Sequence, residues 1–306
     1  MDNCCCVPIL FIVFNRLDTT QIVFEEIKKV KPKKLLVAAD GPRPERVGEK
    51  EKCEEVRKYI LDNISWKCEV KTLFREKNLG CGRAVSSAIN WFFKNVEQGI
   101  ILEDDCLPNT SFFKYCQKLL EHYKNEKKVM HIAGVQFAPN KENGPSYYFA
   151  RLMHCWGWAS WADRWKQYQF DLKDYDEKNI EKFSPDKNVQ GYWLKILDMI
   201  KEEKIDTWDY QWTFKIVEKD GLCINPSINL VSNIGYGGDS THTFDKGNPN
   251  ANLPTFDLKE IIHPKKVELD WEAINYIYKH HIGIDFESKK NGLLGRIRHY
   301  FKKNGE

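Results

Sequence analysis

Apolar residues in the first third of the chain follow two patterns, short continuous runs and longer amphipathic segments. A continuous run predicts a buried strand over Val7–Phe14, and we predict further strands over Lys34–Ala39, Lys67–Phe74 and Gly99–Leu102. Helical spacing between these runs predicts helices over Asp18–Val30 and Glu45–Ile60, and a third helix marked by Ala84, Val85, Ala88, Ile89 and Phe92. Strand–helix alternation of this kind predicts an α/β fold, with a mixed, mostly parallel sheet flanked by helices.

The pattern becomes less regular after residue 110. We predict a helix over Ser111–Tyr123, a strand over Val129–Ala133 and, in the aromatic block YYFARLMHCWGWASWADRW, a strand that turns into a helix. Asp171–Lys187 is polar and weakly patterned, which predicts an excursion over the surface. We expect this half to extend the same sheet.

Two later segments have clearer signals. Thr207–Glu218 predicts a helix that Thr207 caps, with Trp208, Trp212 and Ile216 on one face. The segment GLCINPSINLVSNIGYGGDSTHT predicts two short strands and then a glycine-rich loop.

Composition narrows the class of protein. A net charge of +3 over 306 residues gives no support for nucleic-acid binding, and 13% aromatic residues with ten Trp favour a sugar or nucleotide site. The ten Cys include no C-x-x-C pair, so we expect reduced thiols in a cytoplasmic protein. We find no secretion signal and no apolar run long enough to span a bilayer.

Charged residues stand at the predicted carboxyl ends of the strands, where open α/β sheets bind ligands. Arg16 follows the first strand, Asp40 the second, and the triplet Glu103-Asp104-Asp105 the fourth. Like charges repel and lose hydration when they are partly buried, so the triplet requires a positive partner. Arg binds phosphate in a planar, two-pronged contact, and carboxylate oxygens are suitable ligands for Mg²⁺ or Mn²⁺.

The turn after the first strand argues against two common nucleotide folds. It reads Asn15-Arg16-Leu17-Asp18, without the glycines of a dinucleotide-binding turn. The chain also lacks the G-x-x-x-x-G-K-[ST] motif. Dehydrogenase and P-loop ATPase activities are therefore disfavoured.

Seven segments in order resemble glycosyltransferases of the GT-A fold, a Rossmann-like fold of nucleotide-diphospho-sugar transferases. They are similar to the N-acetylglucosaminyltransferase I family and to related bacterial enzymes. The segments, between Pro8 and Thr243, are PILFIVFNR, LVAADG, REKNLGCGRAVSSAINWFF, IILEDDCLP, HCWGWASWADRW, WDYQW and NLVSNIGYGGDSTHT. The resemblance implies a GT-A domain over 1–286, with a nucleotide-sugar-binding half (1–110) and an acceptor and catalytic half (111–286).

The resemblance also implies roles for residues of the first half. Asp105 would bind the metal, while Glu103 and Asp104 orient the nucleotide, Asp104 through the ribose hydroxyls. Arg16 would contact the diphosphate and Asp40 the uracil edge. Asn78, Gly80 and Arg83 would lie near the nucleotide, in the turn that enters the third helix. The structural alternatives are a solvated strand end for the triplet, a surface cation for Arg16 and an Asp-Gly turn for Asp40. For Asn78, Gly80 and Arg83 the alternative is a role in the helix cap or the turn.

In the second half, Asp209 is the candidate general base, which would take the proton of the acceptor hydroxyl. Its structural alternative is a first-turn Asp favoured by the helix dipole. His242 would complete the metal shell, and GYGGDS would act as a lid over the donor. We expect His122, His131 and His154 to be structural, and two of Trp156, Trp158 and Trp161 to belong to the core.

The predicted activity is metal-dependent, inverting transfer from a UDP-sugar to a glycan or lipid-linked glycan. The alternatives are a nucleotidyltransferase on a related fold and a non-catalytic carbohydrate-binding protein. The segment 287–306 is a basic amphipathic tail, in which Ser288–Lys303 carries six Lys or Arg and no acid. It predicts either peripheral contact with an anionic membrane, at its inner face, or a solvated terminus.

Overall fold

The computed structural model describes residues 6–140, 144–236 and 249–286. Its strands are β1 (Ile9–Val13), β2 (Lys34–Ala39), β3 (Glu69–Phe74), β4 (Gln98–Glu103), β5 (Cys106–Pro108), β6 (Val129–Ala133), β7 (Tyr147–Ala150), β8 (Trp158–Trp161), β9 (Leu222–Pro226) and β10 (Val231–Asn233). Its α-helices are α1 (Leu17–Val30), α2 (Glu49–Asp62), α3 (Cys81–Asn95), α4 (Thr110–His122), α5 (Ala162–Trp165), α6 (Lys187–Lys201), α7 (Asp209–Glu218) and α8 (Trp271–Tyr276). A 3₁₀ helix covers Glu177–Lys182, and a π-helical turn, Ile277–Ile282, continues α8.

Eight strands form one sheet in the order β3-β2-β1-β4-β8-β6-β9-β7. β1 to β4 are parallel to one another, β8 is antiparallel to β4 and β6, β9 is parallel to β6, and β7 is antiparallel to β9. The predicted α/β fold with a mixed, mostly parallel sheet flanked by helices is confirmed. β5 and β10 form a separate two-stranded antiparallel sheet.

Alternate residues of the central strands supply two cores, one on each face of the sheet. Phe11 and Val37 pack on one face with apolar residues of α1, α2 and α4. Leu10 and Leu36 point to the other face, toward α3 and α7. Burial on both faces explains why β1 and β2 are continuous apolar runs.

A third core lies under α6, α8 and the 3₁₀ helix, and it corrects one prediction. Asp171–Lys187 is not simply a surface excursion, because Leu172, Tyr175, Ile180 and Phe183 are buried in this core. These residues lie in loops and a 3₁₀ helix, where apolar spacing follows neither the strand nor the α-helix period.

Two further predictions were wrong in detail. The aromatic block forms two strands, β7 and β8, and only β8 runs into a helix, α5. Thr207 does not cap α7, which begins at Asp209 with Trp208 at the N-cap position. Trp208, Trp212 and Ile216 are buried together, as predicted.

The cysteines in the described ranges are all free thiols. No helix of the described chain is both long and apolar enough to cross a bilayer.

Candidate functional site

Arg16 and the acidic triplet meet at the carboxyl edge of the sheet because β1 and β4 are neighbours, with Ile12 paired to Glu103. The Arg16 guanidinium donates a hydrogen bond of 2.9 Å to Asp105 Oδ2 and a shorter one to Asp104 Oδ1. The Asp104 side chain is only 5% exposed and that of Arg16 22%. Arg16 is thus the positive partner that the triplet requires.

The electrostatics of the triplet reflect three carboxylates in one cleft. Desolvation raises the pKa of Glu103 to about 8, and the charges of Asp105 and Asp104 contribute to the rise. Desolvation also raises the pKa of Asp104, while Arg16 opposes the shift. Burial by itself would lower the pKa of Arg16, but Asp104 and Asp105 hold it above its usual value. A further positive charge in this cleft would relieve the repulsion.

Asp209, the first residue of α7, lies within electrostatic range of the triplet. Its charge contributes to the raised pKa values of Glu103 and of the Cys81 and Cys155 thiols, behind the larger effect of desolvation on each. The Tyr210 N–H donates to Asp209 Oδ1 at 2.9 Å, and the Thr207 hydroxyl donates to the same oxygen. Asp209 therefore lies near the triplet, although the Tyr210 contact is also one that a first-turn Asp makes.

Asp40 and Asn78 hold the end of β2 to the turn that enters α3. The Leu79 N–H donates to the Asp40 carboxylate at 2.9 Å, and the Asn78 amide donates to the Gly41 carbonyl at 2.9 Å. Burial raises the pKa of Asp40, and the Leu79 N–H opposes the rise. These contacts are those of the structural alternative, and the ligand roles of Asp40 and Asn78 stay predictions.

Arg83 is exposed, and its guanidinium lies over the Phe170 ring, 4.7 Å from the ring centroid. A cation on an aromatic face is stable without any ligand. The role of Arg83 toward a nucleotide therefore also stays a prediction.

His242, the glycine-rich segment after Tyr236 and the tail 287–306 lie outside the described residues. Within the described ranges, no three His, Cys, Asp or Glu side chains are grouped so as to hold a metal ion. Mg²⁺ is commonly bound by one or two carboxylates together with substrate phosphates and water. The Asp104–Asp105 pair fits that mode, in which the substrate supplies most of the ligands.

Three features of the cleft were not predicted from the sequence. Asp206 Oδ1 accepts from the Gly82 N–H at 2.9 Å and so binds the start of α3. The turn after β10 closes on the acids, because the Ile234 N–H donates to the Asp105 carbonyl at 2.9 Å. A Cβ added to Gly235 would lie 2.2 Å from Asp105 Oδ2. No local pattern indicates such contacts between segments distant in sequence.

The aromatic and histidine predictions can be compared directly with the structure. Trp158 and Trp161 are core residues, as predicted for two of the three tryptophans, whereas Trp156 is partly exposed. His131 is buried and contacts the His154 carbonyl at 3.1 Å. His122 stacks on His263 at 4.1 Å. These contacts agree with structural roles for the histidines.

No protein-family model matches this chain, and no curated protein matches it. Solved structures with partial similarity include HddC from Yersinia pseudotuberculosis, 10% identical over 51% of this chain and 77% of that one, with a TM-score of 0.34. The same protein complexed with GMP-PN is 8% identical over the same shares, with a TM-score of 0.33. A UDP-glucose pyrophosphorylase complexed with UDP-glucose is 10% identical over 74% of this chain and 91% of that one, with a TM-score of 0.39. Similarity at this level carries no conclusion about activity.

Proposed function

We propose that this protein is a metal-dependent glycosyltransferase that moves a sugar from a nucleotide-diphospho-sugar, with UDP as the favoured nucleotide, to a glycan acceptor. The observation that carries the proposal is the Arg16 guanidinium paired with Asp104 and Asp105 at the carboxyl edge of the sheet. Asp209, within electrostatic range of Glu103, adds a candidate base. Arg, clustered carboxylates and a separate carboxylate together serve a leaving diphosphate and an incoming hydroxyl.

In the proposed reaction, an acceptor oxygen forms a bond to the anomeric carbon as the bond from that carbon to the diphosphate breaks. The electron pair leaves with the diphosphate, whose charge Arg16 would partly neutralise. The hydroxyl proton would pass to Asp209 Oδ2, since the hydrogen bonds from Thr207 and Tyr210 both reach Oδ1. A divalent cation held by Asp105, with Asp104 beside it, would supply further positive charge at the diphosphate.

Sugar nucleotidyl transfer is the competing activity. The similar solved structures are those of HddC and of a UDP-glucose pyrophosphorylase, but their TM-scores are below 0.4. The chain itself favours glycosyl transfer, because α1 begins at Leu17, directly after Arg16, and leaves no room for a glycine-rich loop around a triphosphate.

The proposal predicts that UDP raises the melting temperature only together with Mn²⁺ or Mg²⁺. At 100 times Kd, the increase should be about 4 °C for a chain of this size. Asp105→Asn should abolish this increase. The matched control Asp62→Asn, at an exposed carboxylate paired with Lys58, should keep it. No response of the wild type to any nucleotide with either metal would refute the proposal.

Product analysis then separates the two activities. A glycosyltransferase incubated with its sugar nucleotide slowly releases the nucleoside diphosphate, and an acceptor accelerates the release. A nucleotidyltransferase instead converts the sugar nucleotide and pyrophosphate to nucleoside triphosphate and sugar 1-phosphate. Asp209→Asn should lower transfer by at least about 100-fold while metal-dependent UDP binding is retained.

A further inference from the structure

Three partly exposed aromatic side chains, Tyr236, Trp156 and Phe137, form a series that begins at the acidic cleft. The rings of Tyr236 and Trp156 are 6.0 Å apart and nearly perpendicular, and those of Trp156 and Phe137 are 5.4 Å apart. We call this series the aromatic path.

The cleft end of the path is fixed by two neighbours in sequence. Gly235, next to Tyr236, lies against Asp105 and Arg16. Cys155, next to Trp156, lies within electrostatic range of Asp209.

The other end of the path leads to a groove. His281, in the π-helical turn, stacks on Phe137 at 3.8 Å. Ala138 to Asn140, directly after Phe137, form one wall of a groove of about 490 Å³, and α8 with the π-helical turn forms the other. The second wall presents Glu272, Ala273, Asn275, Tyr276 and Lys279, and Phe286, after the π-helical turn, also lines the groove.

This combination of groups is suited to a carbohydrate. A sugar ring places its C–H face on an aromatic ring and its hydroxyls against carboxylate, amide, phenol and ammonium groups. Neither Phe137 nor Tyr236 lies parallel to the Trp156 indole, and no other described ring stacks on it. A hydrocarbon chain would offer no hydrogen bonds to Glu272, Asn275 or Lys279.

We propose that the acceptor is an oligosaccharide. Its terminal sugar binds on Trp156, toward the acidic cleft, and the following sugars pass along Phe137 and His281 into the groove along α8. This inference rests on the proposed function and adds to it the residues that bind the acceptor and the direction in which the acceptor runs.

The test begins with wild-type protein on an array of oligosaccharides in the presence of UDP and Mn²⁺, followed by transfer assays with the best-bound glycan and its shorter fragments. Trp156→Ala should raise the acceptor KM about tenfold or more. Lys279→Ala combined with Asn275→Ala should raise KM for the longer fragments only. Trp156→Phe, which keeps an aromatic ring, should recover part of the loss.

The matched control is Trp66→Ala, which should keep the acceptor KM of the wild type. Trp66 is also a partly exposed tryptophan, but it precedes β3 and lies at the opposite edge of the sheet. If wild-type protein binds no oligosaccharide, or its KM does not depend on fragment length, the inference is wrong. It is equally wrong if Trp156→Ala and Trp156→Phe match the wild type in KM. Failure of the proposed function would differ, because UDP stabilisation and donor hydrolysis would then be absent from the wild type.

Discussion

At the scale of single residues, Arg16 links two carboxylates of the cleft, those of Asp104 and Asp105. It is the side chain that bonds both Asp104 and Asp105, and Asp104 is almost fully buried. A buried ion pair contributes little relative to an apolar pair, but removing one member leaves a charge without compensation. The same arginine would thus support both the fold and the binding of a diphosphate.

We therefore expect Arg16→Ala to lower the free energy of unfolding by about 3 kcal/mol, measured by urea denaturation without ligand. Adding Asp104→Asn should recover part of this loss, because the buried partner is then neutral. Arg43→Ala is the control and should lower the free energy of unfolding less. The Glu49 carboxylate keeps hydrogen bonds from Asn15 and the Arg43 backbone N–H in that variant. An equal loss in both single variants, with no recovery in the double variant, would contradict this account.

At the scale of secondary-structure elements, β5 and β10 decide how the second half of the chain reaches the acids. Their short antiparallel pairing places the turn at Ile234 and Gly235 directly on Asp105. Gly235 is buried, and any side chain there would collide with Asp105 and Arg16. The cleft therefore depends on a glycine about 130 positions away from the triplet along the chain.

Gly235→Ala should abolish the metal-dependent stabilisation by UDP, because the added methyl group must displace Asp105 or Arg16. Gly191→Ala is the matched control, since nothing lies within 4 Å of a Cβ placed there in α6. The control should raise the free energy of unfolding by about 0.5–1 kcal/mol and leave the UDP response intact. Thermal melting with and without UDP and Mn²⁺ measures both effects, and an unchanged UDP response in Gly235→Ala would show that the turn does not shape the site.

The elements that the sequence predicts well are those with a strong hydrophobic period. β2 and β6 begin and end at the predicted residues, because each is a mostly apolar run that stops at a turn-forming residue, Asp40 or Gly134. β5, α6 and α8 were not predicted. β5 has only three residues, and an element that short has no measurable period.

The candidate site, too, could be predicted only where the sequence has a clear pattern. Charge at strand ends predicted that Arg16 and the triplet would meet, because the edge of a parallel sheet collects them. The contacts of Asp206 with α3 and of Tyr236 with Trp156 could not be predicted. Each joins segments tens of residues or more apart, and their positions depend on loop conformations that have no repeating pattern.

For the molecule as a whole, His131, which is buried, and His154, which is partly buried, should contribute to the response to acid. Burial lowers the pKa of His131 to about 3 and that of His154 well below its usual value of about 6.5. His154 lies against Phe137 and His281, and the like charges of His281 and His131 add to the shift. Between about pH 6.5 and pH 3, the unfolded chain therefore binds protons that the folded chain excludes.

The contribution of each histidine to the free energy of unfolding should consequently fall as the pH falls through this window, by up to about 1.4 kcal/mol per pH unit. His131→Gln should reduce the slope, whereas His280→Gln, at an exposed position, should leave it unchanged. Urea denaturation between pH 7 and pH 4 measures the slopes. Glu103 and Asp104 titrate in the opposite sense, but they contribute equally to all three proteins, so the differences isolate His131. Equal slopes in all three would rule out His131 as the cause.

The two halves of the chain share one sheet, which limits how the protein can be cut into fragments and how the halves can move. β4 of the first half is hydrogen-bonded to β8 of the second, so a cut near residue 110 would strip β4 of a neighbour and open an apolar edge to aggregation. Two fragments made in this way should reassemble rather than survive alone. Any adjustment to bound molecules is then left to the connecting loops, since the backbone hydrogen bonds between β4 and β8 hold the two halves in one sheet.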